Sequence, residues 1–137
     1  MLDVEVLGLP PGAGEPDERE LRRLSVAAAE AGGVRDGHLA IEFVDAARIA
    51  QLNARHRGKS GPTDVLSFPV DGAQAGMPAG ARELGDVVVC PEQTTDVREA
   101  VVHGVLHLVG FDHDSDDGTM LATQRGLLAR FGTRRQA

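Results

Sequence analysis

Three histidines in the last third of the chain are the residues best suited to chemistry. They lie in the segment His103-Gly104-Val105-Leu106-His107-Leu108-Val109-Gly110-Phe111-Asp112-His113. Residues four apart on an α-helix share one face, about 6 Å apart along the axis, so His103 and His107 can hold one metal ion. Gly110 tolerates positive φ, which lets the chain turn and bring His113 back as a third ligand. Three protein ligands leave one tetrahedral position open to water, the arrangement of a catalytic rather than a structural zinc. A single histidine on an apolar helix is more often a core residue satisfied by backbone carbonyls. Three such rings need partners for six nitrogens, and a shared metal satisfies one nitrogen of each at once. Zinc, one per chain, is the expected ion; nickel, copper and iron also take imidazole.

The spacing matches the metzincin motif H-E-x-x-H-x-x-G-x-x-H with one difference: Gly104 stands where the general-base glutamate would be. Peptidase chemistry therefore loses its base while the metal cage stays. Asp112 and Asp114 flank His113 and are candidate second partners for a ligating ring, although Asp114 fits equally an acidic residue ahead of the last helix. Asp86 is a weaker candidate for the same task. Cys90 at the end of an apolar strand reads as core, and His38 and His56 lack a metal-like spacing.

The elements that must position these groups follow from periodicity. Leu2–Leu7 alternates apolar and acidic residues, a strand. Pro16, Asp17, Glu18 and Glu20 predict a helix start with proline in the first turn; Leu21, Leu24 and Ala28 form its stripe, and Gly32-Gly33 ends it. His38–Val44 is a second strand. Asp45 caps a helix reaching about Arg57, with Gly58 as its stop. Asp64–Val70 is a third strand, and Pro69 places its end at a sheet edge. Residues 71–83 are a Gly/Ala/Pro-rich loop, and Leu84–Cys90 is a fourth strand. Asp96 and Glu99 have capping-box spacing for a helix over Val97–Val109 that is apolar on nearly every side, hence central and buried. The last helix, Thr119–Phe131, carries Met120, Leu127, Leu128 and Phe131 on one stripe. Together these predict an α+β fold. It is a single domain over residues 1–137, a four-stranded mixed sheet packed with helices around a central His-bearing helix, with a zincin-like metal site.

Composition bounds the function. The chain has 137 residues, 42% of them hydrophobic, and one cysteine, enough for one core without a disulfide. The start of the chain lacks the basic and apolar regions of a signal peptide, and no apolar run is long enough to cross a bilayer. The expectation is a cytoplasmic protein with no membrane partner. A formal charge of −7 opposes tight non-specific nucleic-acid binding. Positive charge is nevertheless clustered, at Arg55, Arg57 and Lys59 and again at Arg125, Arg130, Arg134 and Arg135. With four Phe and no Tyr or Trp, a stacking platform for single strands is not expected. Any RNA would be held by few contacts.

Beyond the histidine block, two more segments carry a resemblance. They are Leu52-Asn53-Ala54-Arg55-His56-Arg57-Gly58-Lys59-Ser60-Gly61-Pro62-Thr63-Asp64-Val65-Leu66-Ser67-Phe68-Pro69 and Leu84-Gly85-Asp86-Val87-Val88-Val89-Cys90-Pro91. With His103–His113 in the same order, the chain resembles the YbeY family of bacterial endoribonucleases over about its central half. The resemblance implies a zinc-dependent, single-strand-specific endoribonuclease that matures the 3′ end of small-subunit rRNA and serves ribosome quality control. Implied partners are single-stranded or ribosomal RNA, the ribosome and ribosomal proteins. It implies His103, His107 and His113 as metal ligands and Arg57 as a functional arginine, so Arg57 and His103 are the expected catalytic residues.

A guanidinium is a bidentate phosphate ligand and can stabilise charge growing on a phosphorane; equally, Arg57 suits a helix C-terminus electrostatically. A metal could polarise a phosphoryl oxygen, activate water or orient the 2′-hydroxyl. Arg55 and Lys59 are candidate RNA contacts. Two departures stand out: the segment between Pro91 and His103 is short, and Gln124-Arg125 replaces a region where relatives carry an acidic residue. Both are read as surface features that do not touch the ligands. The competing functions are a metal-binding ribosome-assembly factor with little catalysis and a metal-dependent hydrolase of another substrate.

Overall fold

Alternation at the start of the chain becomes β1 (Leu2–Leu7), with Leu2 and Val4 buried and Asp3 and Glu5 exposed. The computed structural model describes residues 2–9, 16–70, 83–111 and 117–131. Of the expected loop 71–83, residues 71–82 lie outside that set and Glu83 belongs to a strand; Asp112, His113, Asp114, Arg134 and Arg135 lie outside it too.

The first helix, α1 (Glu18–Ala31), corrects one expectation. Asp17 is its N-cap, the carboxylate accepting the Glu20 N–H at 2.9 Å, so Pro16 stands just outside the helix rather than in its first turn. After β2 (Gly37–Phe43) comes α2 (Ala46–Arg57), where Asp45 accepts the Arg48 N–H at 2.8 Å as its spacing predicts. Glu92 accepts the Ala46 N–H at 2.8 Å and satisfies a second donor of that first turn. Then follow β3 (Val65–Pro69), β4 (Glu83–Val89), a short 3-10 turn (Pro91–Gln93), α3 (Val97–Leu108) and α4 (Thr119–Phe131).

The sheet runs in the order β1-β2-β4-β3. β1, β2 and β4 are mutually parallel, and β3 lies antiparallel to β4 at the edge. Pro69 therefore closes an edge strand, where a missing N–H removes no ladder bond. Between His38 and Leu39 the β4 partners jump from Glu83 to Gly85, leaving Leu84 as an extra residue. That bulge allows Leu84 and Val87, three apart, to reach the same core.

One face of the sheet carries the main core, built from β1, β2 and β4 against α1, α3 and α4. On the other face Ile49 of α2 packs with Leu66, Val88 and Cys90. Among the described residues, the α+β class, with a four-stranded mixed sheet and four helices in a single domain, is as expected. α3 is anchored to α1 by Arg98, whose Nε and Nη2 donate to the two Glu20 oxygens at 2.6 and 3.1 Å. Both side chains are largely buried, so this bidentate pair also fixes how α3 lies on its neighbour. Among the described residues no helix is long and apolar enough to cross a membrane.

Candidate functional site

α3 is buried on nearly all of its surface. Ala100, Val101, Val102, Gly104, Val105, Leu106 and Leu108 all face protein. Glu99, His103 and His107, spaced i, i+4 and i+8, remain as its more open stripe. Asp96 caps the helix by accepting the Glu99 N–H at 3.3 Å. At the far end the Gly110 N–H donates to the His107 carbonyl and the Phe111 N–H to that of Leu106. This pair of bonds is a Schellman motif with Gly110 at its left-handed position, φ +107°. The sharp turn expected after His107 is thus present; His113 lies outside the described residues.

Gly104 has a role different from the one its position in the motif suggests. It faces the sheet, where an added Cβ would stand 2.5 Å from Val87 Cγ1 and 3.3 Å from Ser67 Oγ. Ser67 Oγ donates to the Gly104 carbonyl at 2.9 Å. The missing side chain therefore lets α3 sit close on β3 and β4. A glutamate here would point into that contact.

The open stripe of α3 forms a wall of a cleft of about 660 Å³, which is also lined by Arg57, Asp64, Ser67 and Gln124. Arg57 comes from the last turn of α2. Asn53, buried on that helix, donates from Nδ2 to the Gly61 carbonyl at 2.9 Å and ties down the loop leading to β3. The structure thus brings together three of the predicted residues, His103, His107 and Arg57. Arg55 and Lys59 are exposed and do not line the cleft.

The His103 and His107 rings lie 4.8 Å apart between centroids at 76° to one another. Two imidazoles sharing a tetrahedral zinc at metal–nitrogen distances of about 2.1 Å would place their centroids about 5 Å apart. The observed separation is close to that figure.

Two expectations need correction. Asp86 is no neighbour of these histidines. It lies on β4 near Glu83, Glu5 and His38, and partial burial, followed by the charges of Glu83 and Glu5, raises its pKa. Gln124 is not a surface feature remote from the histidines: it is buried, and its Oε1 stands 2.9 Å from His103 Nδ1. Its place on the stripe of Met120 and Leu127, at i+4 and i+7, is a readable signal for a polar group turned inward. Cys90 is fully buried in the α2 core, as expected. His38 bridges Glu83 and Glu5, and His56 packs edge-on against Phe68 with centroids 4.9 Å apart.

Both the fold and the sequence have counterparts among known proteins. A solution structure of TM1509 from Thermotoga maritima superposes with a TM-score of 0.59 at 24% identity, covering 97% of this chain and 91% of that one. It supports the fold. An Endoribonuclease YbeY of Stenotrophomonas maltophilia is 40% identical, over 96% of this chain and 90% of its own length. Its counterpart in Alkalilimnicola ehrlichii is also 40% identical, over 88% and 81%. That of Leifsonia xyli is 38% identical, over 84% and 87%. The family model for Endoribonuclease YbeY matches residues 17–132, and the chain belongs to that family.

Proposed function

We propose that this protein is a zinc-dependent, single-strand-specific endoribonuclease acting in the cytoplasm on the 3′ end of small-subunit rRNA and in ribosome quality control. The observation that carries the reading is the meeting of His103 and His107 with Arg57 in one cleft. His103, His107 and His113 would hold the zinc, which supplies Lewis acidity toward a phosphoryl oxygen when bound. Arg57 is the cleft's guanidinium, and among the described residues it makes no ion pair. It can take two oxygens of a scissile phosphate and stabilise the charge that grows there. Asp64 and Glu99 line the same cleft and are the carboxylates in reach to accept a proton. Among the described residues, no aromatic side chain other than the two imidazoles lines the cleft. RNA is therefore gripped by phosphate contacts and not by stacking, consistent with weak, transient binding. The ribosome and its proteins are the natural setting in which such a weak binder meets its substrate.

Incubation of metal-loaded protein with single-stranded RNA, double-stranded RNA and a peptide tests the reading. Cleavage of the first alone, lost in His103→Ala, is expected. Equal RNA loss from both proteins would trace the activity to a contaminant. Cleavage of the peptide would move the site to another hydrolase class. Protein purified without chelators should carry close to one zinc per chain, and a content far below that would remove the metal from the reading.

A further inference from the structure

Gln124 takes no part in the chemistry proposed above, yet it occupies a buried position between α4 and the open stripe of α3. An amide there must find hydrogen bonds or destabilise the fold. It finds two: Oε1 lies 2.9 Å from His103 Nδ1, and Nε2 donates to Glu99 Oε2 at 3.4 Å. A carboxylate only accepts, so the amide NH2 must face Glu99 and the amide oxygen must face the imidazole. That oxygen also only accepts, so Nδ1 carries a proton. In the neutral ring Nε2 then holds the lone pair.

We propose that Gln124, oriented by Glu99, is a positioning residue that holds His103 in the Nδ1–H tautomer and presents Nε2 as its ligand nitrogen; this rests on the metal reading of the cleft. Ligating histidines commonly donate their second N–H to a carboxylate or a carbonyl, which fixes the tautomer and the ring plane. Here a neutral amide is placed between the imidazole and the carboxylate, and it comes from a different helix. Glu99 and His103 sit one turn apart on α3, and Gln124 bridges them from α4. The docking of α4 on α3 therefore sets the angle of one ligand.

The test compares Gln124→Met, which keeps the bulk and removes the acceptor, with Gln124→Glu, which keeps an acceptor. The His103 tautomer is read in metal-free protein by long-range ¹H–¹⁵N NMR, and Zn²⁺ affinity by competition with a chelator. Wild-type protein should show the Nδ1–H form. The Met variant should lose that single form and bind Zn²⁺ about 10–100-fold more weakly, and the Glu variant should recover both. A Met variant with wild-type tautomer and affinity overturns the proposal and leaves Gln124 as a core polar residue. Should that variant not fold, Glu99→Ala at the exposed end decides instead: a mixed tautomer supports the proposal and an unchanged one overturns it. Wild-type protein that binds no Zn²⁺ yet loses its tautomer in the Met variant would sink the metal reading while upholding the control of the ring.

Discussion

His103 and His38 are both half-buried, and each has ring nitrogens in contact with side chains from other elements. Their partners differ in kind. His38, on β2, places Nδ1 2.7 Å from Glu83 on β4 and Nε2 3.1 Å from Glu5 on β1. Two carboxylates only accept, so the bridge is complete only when both nitrogens donate, in the imidazolium form. Such a ring cannot bind a metal. It joins three strands instead. His103 meets a neutral amide at Nδ1, which keeps a lone pair on the ring and a ligand's chemistry within reach. Spacing separates the two histidines in the sequence; the partners explain why the separation holds.

The sharpest way to break this contrast is to remove each ring. His103→Ala should lower RNA cleavage by about 10³-fold or more, since loss of a ligand forfeits several kcal/mol of metal-derived stabilisation, and should lower bound zinc with it. His38→Ala should leave turnover within about twofold, the usual range for a surface change. Equal losses from both variants would erase the distinction. Next in size is Arg57→Ala, expected to cost about 10²–10³-fold in turnover, the range for losing one donor to transition-state charge, with zinc content and thermal stability unchanged. Loss of zinc in that variant would make Arg57 structural. Arg55→Ala and Lys59→Ala, which lie off the cleft, should each cost less than about fivefold, as exposed charges do.

Gly104 tests the frame that holds His103 and His107. With Val87 Cγ1 only 2.5 Å from an added Cβ, Gly104→Ala should destabilise the fold by about 1–3 kcal/mol, the cost of overpacking a filled core. The second substitution Val87→Ala should recover part of that. Chemical denaturation of the single and double variants measures both. No coupling between positions 104 and 87 would mean that α3 does not rest on β4 through this contact.

Much of this arrangement is legible in the amino-acid sequence, and the parts that are not share a cause. Asp45 and Asp96 are readable as caps because a cap acts within three residues, and both accept the N–H that their spacing predicts. The His103/His107 pair is legible for the same reason: a helix fixes which residues meet at i+4. Pro16 stands one residue further out than the pattern suggests, because a single hydrogen bond decides whether a proline or the aspartate after it opens the helix. The bulge at Leu84 and the insertion of β4 between β2 and β3 depend on pairing between strands far apart in the chain, and no local pattern encodes them. Gln124 looks like a surface residue when set beside its family. Its own helix says otherwise, since Met120 and Leu127 mark its side as buried. Gly104 looks like a missing base because Val87, the neighbour that explains it, is distant in the chain and invisible from the motif.

The smallest expected effect belongs to His38, and its sign is specific. Burial alone would lower its pKa, but hydrogen bonds to Glu83 and Glu5, with the charges of Glu83 and Asp3, raise it above the ordinary histidine value. Below about pH 6.5 the ring is protonated in both folded and unfolded chains, and the bridge contributes in full. As pH rises past that point the unfolded chain releases its proton first. The contribution therefore fades and is gone once pH exceeds the raised folded value. The ring and its partners are partly open to solvent, with side-chain exposures of 32%, 41% and 52% for His38, Glu83 and Glu5, so screening should keep the whole effect under about 1 kcal/mol. Asp86 carries a raised pKa too, from partial burial and the charges of Glu83 and Glu5. Thermal unfolding from about pH 6 to about pH 8 should thus show stability declining in the parent protein and a flatter profile in His38→Gln. A decline of equal slope in the variant would place the titrating group elsewhere and leave the three-strand bridge without energetic weight.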